Sequence, residues 1–371
     1  MSEQARSELA RAYHERLAAR GFDSDPEQLR ALASLDALRT RLIAAAPSGS
    51  LLPRWLRSRL KAPPREPLKG LYLWGGVGRG KTWLMDLFFD SLPFSQRRRL
   101  HFHRFMHEVH AQLAQLKHQE SPLEEVAAHI ATDLRVLCFD ELYVADIADA
   151  MILGGLFAGL FARGVTLVAT SNVPPAQLYK DGLQRQRFLP AIQLLEEHTQ
   201  VLELAGGTDY RLRQLAQVGI YLDSAAADTH ARLEALFGEL AGSGAQAGGS
   251  IQIEGRPIAV VRAGHGAVWF DFAAICEGPR SQDDYIEIAR EFQSVLVSDI
   301  PVLDAHREDA TRRFVALVDE FYDRSVKLIV AAAAPPLALY RGTRLGPIFE
   351  RTASRLIEMQ SKAYLAREHR P

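Results

Sequence analysis

The chain has 371 residues and carries 44 Lys and Arg against 45 Asp and Glu, for a net charge of −1. That balance excludes a polyanion binder acting through bulk charge, so any nucleic-acid contact needs a local patch. Apolar residues make up 47% and charged residues 24%, the make-up of a globular enzyme with enough chain for two or three packed units.

Behind Met1 to Arg6 there is no apolar segment, so no signal peptide is expected. Residues 5–19 and 26–45 place apolar side chains at helical spacing, and a helical N-terminal arm is expected over 1–52. Residues 46–69 read as a linker, with Pro53, Pro63, Pro64 and Pro67 among Arg54, Arg57, Arg59, Lys61 and Arg65, and Trp55 between them.

An alternation of strands and helices follows. Strand signals lie at 70–74, 99–102, 134–139, 166–170 and 200–204, with helical patterns at 81–90, 106–117, 146–162 and 190–197. The strands near 134 and 166 are continuous apolar runs, as a parallel sheet covered on both faces requires. The expected class is α/β: a P-loop NTPase core over 53–205 with a parallel sheet and helices on both faces. Its longest uncharged apolar run, 150–162, holds three glycines and is too short to span a bilayer. Cys138 and Cys276, the two cysteines, sit in apolar runs, so buried thiols are expected rather than a disulfide. A cytoplasmic location follows as an expectation, with peripheral membrane contact left open.

Past Gly206 and Gly207 the pattern becomes mixed α+β, so 206–371 reads as a lid and a second region. Helices are expected at 225–241, 283–292, 308–324 and 349–365. A small-residue loop covers 242–250, β alternation 251–272, and strands 294–298 and 327–332. The stretch from Val165 to Tyr179 parallels the one from Val326 to Tyr340, and Val136 to Asp140 parallels Val295 to Asp299. The plainer reading is two strand–helix–strand units that share Pro-Pro turns. The sharper one is a degenerate second half-core, with Ile300 where Glu141 stands, structural rather than catalytic.

The chemistry concentrates in a few segments. Gly75, Gly76, Val77, Gly78, Arg79, Gly80, Lys81 and Thr82 match the phosphate-loop spacing between a strand and a helix. Glycines let backbone N–H groups converge on phosphate oxygens, and the helix N-terminus favours negative charge. Lys81 is expected to reach the β- and γ-phosphates of ATP, and Thr82 to supply a hydroxyl to Mg²⁺. Asp140 and Glu141 end a neighbouring strand; Asp140 is expected to hold Mg²⁺ through water and Glu141 to activate the attacking water. Asn172 ends the next strand as a candidate γ-phosphate sensor. Arg185, with Arg187 second, is the candidate finger offered to a neighbouring subunit. Arg351 and Arg355 share a helix face; either is a candidate lid arginine, with Arg355 preferred, or a salt-bridge partner of Glu350 or Glu358. His101, His103, His107 and His110 lack further ligands nearby and are not read as a metal site. Phe105 and Met106 read either as core or as channel-lining groups at the end of the second strand.

Gly75 to Thr82, Phe139-Asp-Glu141, His101-Phe-His-Arg-Phe-Met106, Gly182-Leu-Gln-Arg185, Gly207-Thr-Asp-Tyr-Arg211, Trp269-Phe-Asp-Phe272, Pro279-Arg-Ser281, Asp284-Tyr285, Asp319-Glu-Phe-Tyr-Asp-Arg324 and Arg351-Thr-Ala-Ser-Arg-Leu356 together resemble the ZapE family. That is a bacterial AAA+ family associated with cell division, with mitochondrial relatives linked to turnover of respiratory-chain subunits. The resemblance runs from about Pro53 to the C-terminus. It implies an AAA+ fold, ATP hydrolysis, and a protein partner, the division ring protein FtsZ. A ring-shaped homo-oligomer in the ATP state is expected with it. The alternative is a nucleic-acid ATPase of helicase-loader type, using Arg54 to Arg65 with Trp55, and Arg97, Arg98 and Arg99, as its footprint. A GTP switch ranks last, because no Asn-Lys-x-Asp segment is present.

Overall fold

The computed structural model describes residues 8–20, 24–45, 67–76, 78–116, 120–205, 219–241, 245–253, 255–367 and 369–370. The basic linker residues Arg54 to Arg65, Val77, and Gly207 to Arg211 lie outside that set. The chain divides into two units, 1–208 and 209–371.

The first unit opens with α1 (Glu8–Arg20) and α2 (Pro26–Ala44). Asp25 caps α2 by accepting from the Glu27 N–H at 2.8 Å, with Pro26 at the first helical position. Then come β1 (Gly70–Trp74), α3 (Lys81–Ser91), β2 (Arg97–His101), α4 (Phe102–Gln115), α5 (Pro122–Ala131), β3 (Val136–Asp140), α6 (Ile147–Phe161), β4 (Thr166–Ser171), α7 (Leu189–His198) and β5 (Thr199–Glu203). All five strands are parallel, in the order β2-β3-β4-β1-β5.

Strand side chains alternate between faces, which explains the continuous apolar runs. Leu71, Leu73, Val136, Cys138 and Val168 pack with α1, α2 and α3; Tyr72, Leu137, Phe139, Leu167 and Ala169 pack with α4 to α7. Each fully buried Leu or Phe contributes about 1.5–3 kcal/mol. Gly70 allows β1 its close approach to β4, since a Cβ there would lie 1.8 Å from the Leu167 carbonyl oxygen.

Two expectations in this unit are corrected. The second strand runs from Arg97 to His101 and a helix begins at once at Phe102. Phe105 and Met106 therefore lie on α4. Both are buried, with the Phe105 ring 4.7 Å from that of Phe139, so they belong to the core. Helix α5 was not anticipated. Among the described residues, no helix is long and apolar enough to cross a membrane. Cys138 and Cys276 are free and buried.

The second unit contains β6 (Tyr221–Asp223), α8 (Thr229–Leu240), β7 (Gln246–Ala247), β8 (Ser250–Ile253), β9 (Arg256–Ala259), β10 (Arg262–Gly264), β11 (Ala267–Asp271), α9 (Gln282–Glu291), β12 (Ser294–Ile300), α10 (Glu308–Asp323), β13 (Lys327–Ala332), α11 (Gly346–Met359) and α12 (Lys362–Leu365). The single helix expected over 349–365 is thus two, and Ser361 caps the second by accepting from the Tyr364 N–H at 3.1 Å. Strands β6, β13, β12 and β11 are parallel neighbours; β10 and β7 extend the sheet antiparallel, and β8 pairs with β9 as a separate hairpin.

Set beside β1-β4-β3-β2, the run β6-β13-β12-β11 has the same order and sense. Details match as well. The Tyr72 hydroxyl donates to the Val173 carbonyl at 3.0 Å, and the Tyr221 hydroxyl to the Ala334 carbonyl at 2.7 Å. Val136 pairs with Thr166 as Ser294 pairs with Lys327. Glu141 and Asp299 both take left-handed backbone, at φ 53° and 58°. These constraints make Ser298 the counterpart of Asp140 and Asp299 the counterpart of Glu141, one residue away from the alignment that letters alone favour. The connection from β6 to α8, residues 224–228, contains no glycine.

Candidate functional site

The loop between β1 and α3 turns on glycine. Gly75, Gly78 and Gly80 have φ of 149°, 77° and 80°, values that side chains on Cβ disfavour. Lys81 opens α3 and is buried. Its ammonium donates to the Gly75 carbonyl at 2.5 Å, the Gly76 carbonyl at 2.8 Å and the Asn172 Oδ1 at 3.0 Å. The loop is thereby tied to the end of β4. Thr82 follows on the first turn of α3.

Asp140 ends β3 and is 1% exposed. Both of its oxygens are held by Arg99 on β2, with Nε to Oδ2 at 2.7 Å and Nη2 to Oδ1 at 3.1 Å. The same guanidinium bonds Asp86 of α3 and reaches the Thr82 carbonyl at 3.5 Å. Burial works against charge on Arg99, yet attraction to Asp140 and Asp86 outweighs it, and its pKa lies above the ordinary guanidinium range. Glu141 comes next, with its backbone N–H donating to the Thr170 Oγ1 at 3.1 Å. Lys81, Asp140, Glu141 and Asn172 thus meet at the carboxyl ends of adjacent parallel strands, where α/β sheets bind ligands.

Helix α2 reaches the loop from the other side. The Gln28 amide, 2% exposed, donates through Nε2 to the Arg79 carbonyl at 3.0 Å and accepts from the Tyr13 hydroxyl at 2.9 Å. The Tyr13 ring lies 4.9 Å from that of Trp83. Gln28→Ala leaves the Arg79 carbonyl without this donor and is expected to cost about 1–3 kcal/mol. Thermal melts with and without nucleotide check this: the melting point should fall, and nucleotide should recover less of it than in the wild type.

The arginines fall elsewhere. Arg185 begins a short 3-10 turn, half-buried, with Nη2 donating to the Ala176 carbonyl at 2.6 Å and Nε enclosed without a partner among the described residues. Arg187 is exposed. In the second unit, Arg351 and Arg355 do not pair with Glu350 or Glu358. Both bond Asp319 at 2.6 Å, and Arg355 also lies 3.6 Å from Asp323 and over the Tyr322 ring. His110 lies 2.7 Å from Asp149.

Gln28, Asp86 and Arg99 were missed by motif reading. Arg97 to Arg99 looks like a surface patch, but each member has its own partner. Arg97 lies over the Phe89 ring, Arg98 pairs with Glu108, and Arg99 is buried with two carboxylates. The available signal was position: a strand alternates, so every second arginine must face inward.

The AFG1-like ATPase family profile matches residues 8–368. A cell division protein ZapE of Escherichia coli strain K12 is 46% identical over 351 residues, covering 93% of this chain and 94% of its own. Lactation elevated protein 1 homolog B of Danio rerio is 36% identical over 345 residues, covering 81% of this chain and 69% of its own. Among solved structures, a crystal structure of DnaI overlaps 48% of this chain and 86% of its own, at 18% identity and a TM-score of 0.33. The family profile over nearly the whole chain and the 46% identity to the Escherichia coli relative lead to one conclusion: the chain belongs to the AFG1-like ATPase family.

Proposed function

We propose that the chain hydrolyses ATP to ADP and phosphate and couples the cycle to remodelling a protein partner at the division site, FtsZ by its resemblance to ZapE. The observation that carries this reading is the convergence of Lys81, Asn172, Asp140 and Glu141 at the carboxyl ends of adjacent strands, with the Lys81 ammonium already bonded across to Asn172. Lys81 exchanges its carbonyl partners for β- and γ-phosphate oxygens. Asn172 orients the terminal phosphate or the attacking water. Glu141 takes a proton from that water. Arg185 is offered to the site of a neighbouring copy in a ring.

The donors around a Mg²⁺ ion would be the Thr82 hydroxyl and, through water, the Asp140 carboxylate, an all-oxygen set that suits a hard cation. Once bound, such an ion offsets phosphate charge. The second unit keeps the strand order without glycines in the loop position or a carboxylate at Ser298, which supports reading it as a degenerate copy with a structural role.

The test is a pull-down with Glu141→Gln as a trap. FtsZ should be retained with ATP and released with ADP. Retention indifferent to nucleotide counts against the remodelling reading. Retention of nucleic acid instead, lost steeply with salt, would move the assignment to the helicase-loader class.

A further inference from the structure

We propose that Arg99 is a resident cation that occupies the carboxylate pair Asp86 and Asp140, so that a divalent ion enters the site only together with nucleotide phosphates. The proposal extends the assignment of Asp140 as an ion-holding carboxylate and rests on it.

The Arg99, Asp86 and Asp140 side chains are each no more than 2% exposed. Arg99 gives Asp140 two hydrogen bonds and Asp86 a third. Two carboxylates this dry and this close, with no cation between them, would form a ready trap for a divalent ion. With the guanidinium in place the pair carries one net negative charge instead of two. A divalent ion arriving alone would leave a buried excess of positive charge, which is costly without a counter-charge. Phosphate oxygens supply that counter-charge.

The second unit separates architecture from charge. Strand pairing places Trp269 where Arg99 stands, since Arg99 lies opposite Cys138 and Trp269 opposite Leu296. Ser298 stands where Asp140 does. There the Trp269 Nε1–H donates to the Ser298 Oγ at 3.0 Å, and the Ser298 hydroxyl donates to Asp271 at 2.9 Å. The Trp269–Ser298 tie between the two strands is thus made by neutral groups, and the carboxylate that Ser298 bonds, Asp271, is exposed. Holding β2 to β3 requires an N–H donor but not a cation. The cation occurs in the unit whose carboxylates, Asp86 and Asp140, are buried.

The test uses Mn²⁺ as the probe, titrated into the purified full chain and followed by the loss of its free EPR signal. Each titration is run with and without a non-hydrolysable ATP analogue. Wild type should bind Mn²⁺ only with the analogue. Arg99→Met should bind it without nucleotide, roughly tenfold or more tighter than nucleotide-free wild type, and Arg99→Lys should behave as wild type. A folded Arg99→Met that still requires the analogue overturns the proposal, as does stoichiometric Mn²⁺ binding by nucleotide-free wild type. Asp86→Asn gives a reading that does not depend on the folding of Arg99→Met. It leaves Arg99 to grip Asp140 alone, so Mn²⁺ affinity with the analogue should fall about threefold or more; unchanged affinity counts against the proposal. Asp140→Asn separates the two assignments. If it binds Mn²⁺ with the analogue as tightly as wild type, the role of Asp140 itself fails.

Discussion

Glu141→Gln is expected to bind ATP with little change and to lose turnover by about 10²–10⁴-fold. Glutamine preserves the size and shape of the side chain, so the left-handed turn at φ 53° and the backbone bond to Thr170 have no reason to move. What disappears is the ability to take a proton from water. The phosphate cradle is made by Gly75 to Thr82 and stands apart from this change. Two measurements separate the effects: titration with a fluorescent ATP analogue for binding, and single-turnover hydrolysis for chemistry. A steady-state rate near that of wild type would remove Glu141 from its assigned role. The φ value at Glu141 carries no weight in that role, because Asp299 has the same backbone in a unit with no phosphate loop.

The second large effect is expected at Arg185. Arg185→Ala should retain ATP binding while kcat falls on the order of 10³-fold, the loss associated with a missing arginine finger. Its guanidinium is now bonded to the carbonyl of Ala176, a contact that must be given up when it turns to a neighbouring copy. Specific activity should therefore rise with protein concentration. Mixing Arg185→Ala with Lys81→Ala is the sharper experiment. One subunit brings an intact nucleotide pocket and the other an intact finger, so activity should reappear on mixing. A wild-type rate for Arg185→Ala alone would shift the assignment to the exposed Arg187. If Arg185→Ala and Arg187→Ala are each fully active and activity does not depend on concentration, the enzyme works without a ring.

Much of the site was legible in sequence because its requirements are local. A glycine-rich turn followed by Lys-Thr needs only the residues it contains, and an Asp-Glu pair after four consecutive apolar residues, Val136 to Phe139, marks a strand end. What escaped depends on contacts distant along the chain. Arg99 is stable inside only because Asp86 and Asp140, from two other elements, converge on it. Gln28 gains meaning only when α2 folds back onto the loop. The register of the second unit was misjudged because matching Asp with Asp looks better in letters than matching Asp140 with Ser298. Backbone pairing and the turn conformation decide otherwise. Helix α5 did carry its own signals, Pro122 at the first position, Glu124 and Glu125 in the first turn, and an apolar stripe of Leu123, Val126, Ala127, Ile130 and Ala131 at helical spacing, so it was legible and was missed.

The burial of the two cysteines makes the molecule convenient for labelling. Cys138 lies in the centre of a sheet, fully enclosed, and burial pushes its thiol up to about 12. The Cys276 thiol is raised further by its own burial. Thiolate, the species that attacks a maleimide, is therefore scarce at both positions near neutral pH, and neither sulfur can be reached in the folded chain. A single cysteine placed at Leu183, 70% exposed, or at Leu337, 77% exposed, would be the one that a dye finds without first mutating the native pair. One dye in each unit would then allow the distance between the units to be followed through an ATP cycle in otherwise native protein.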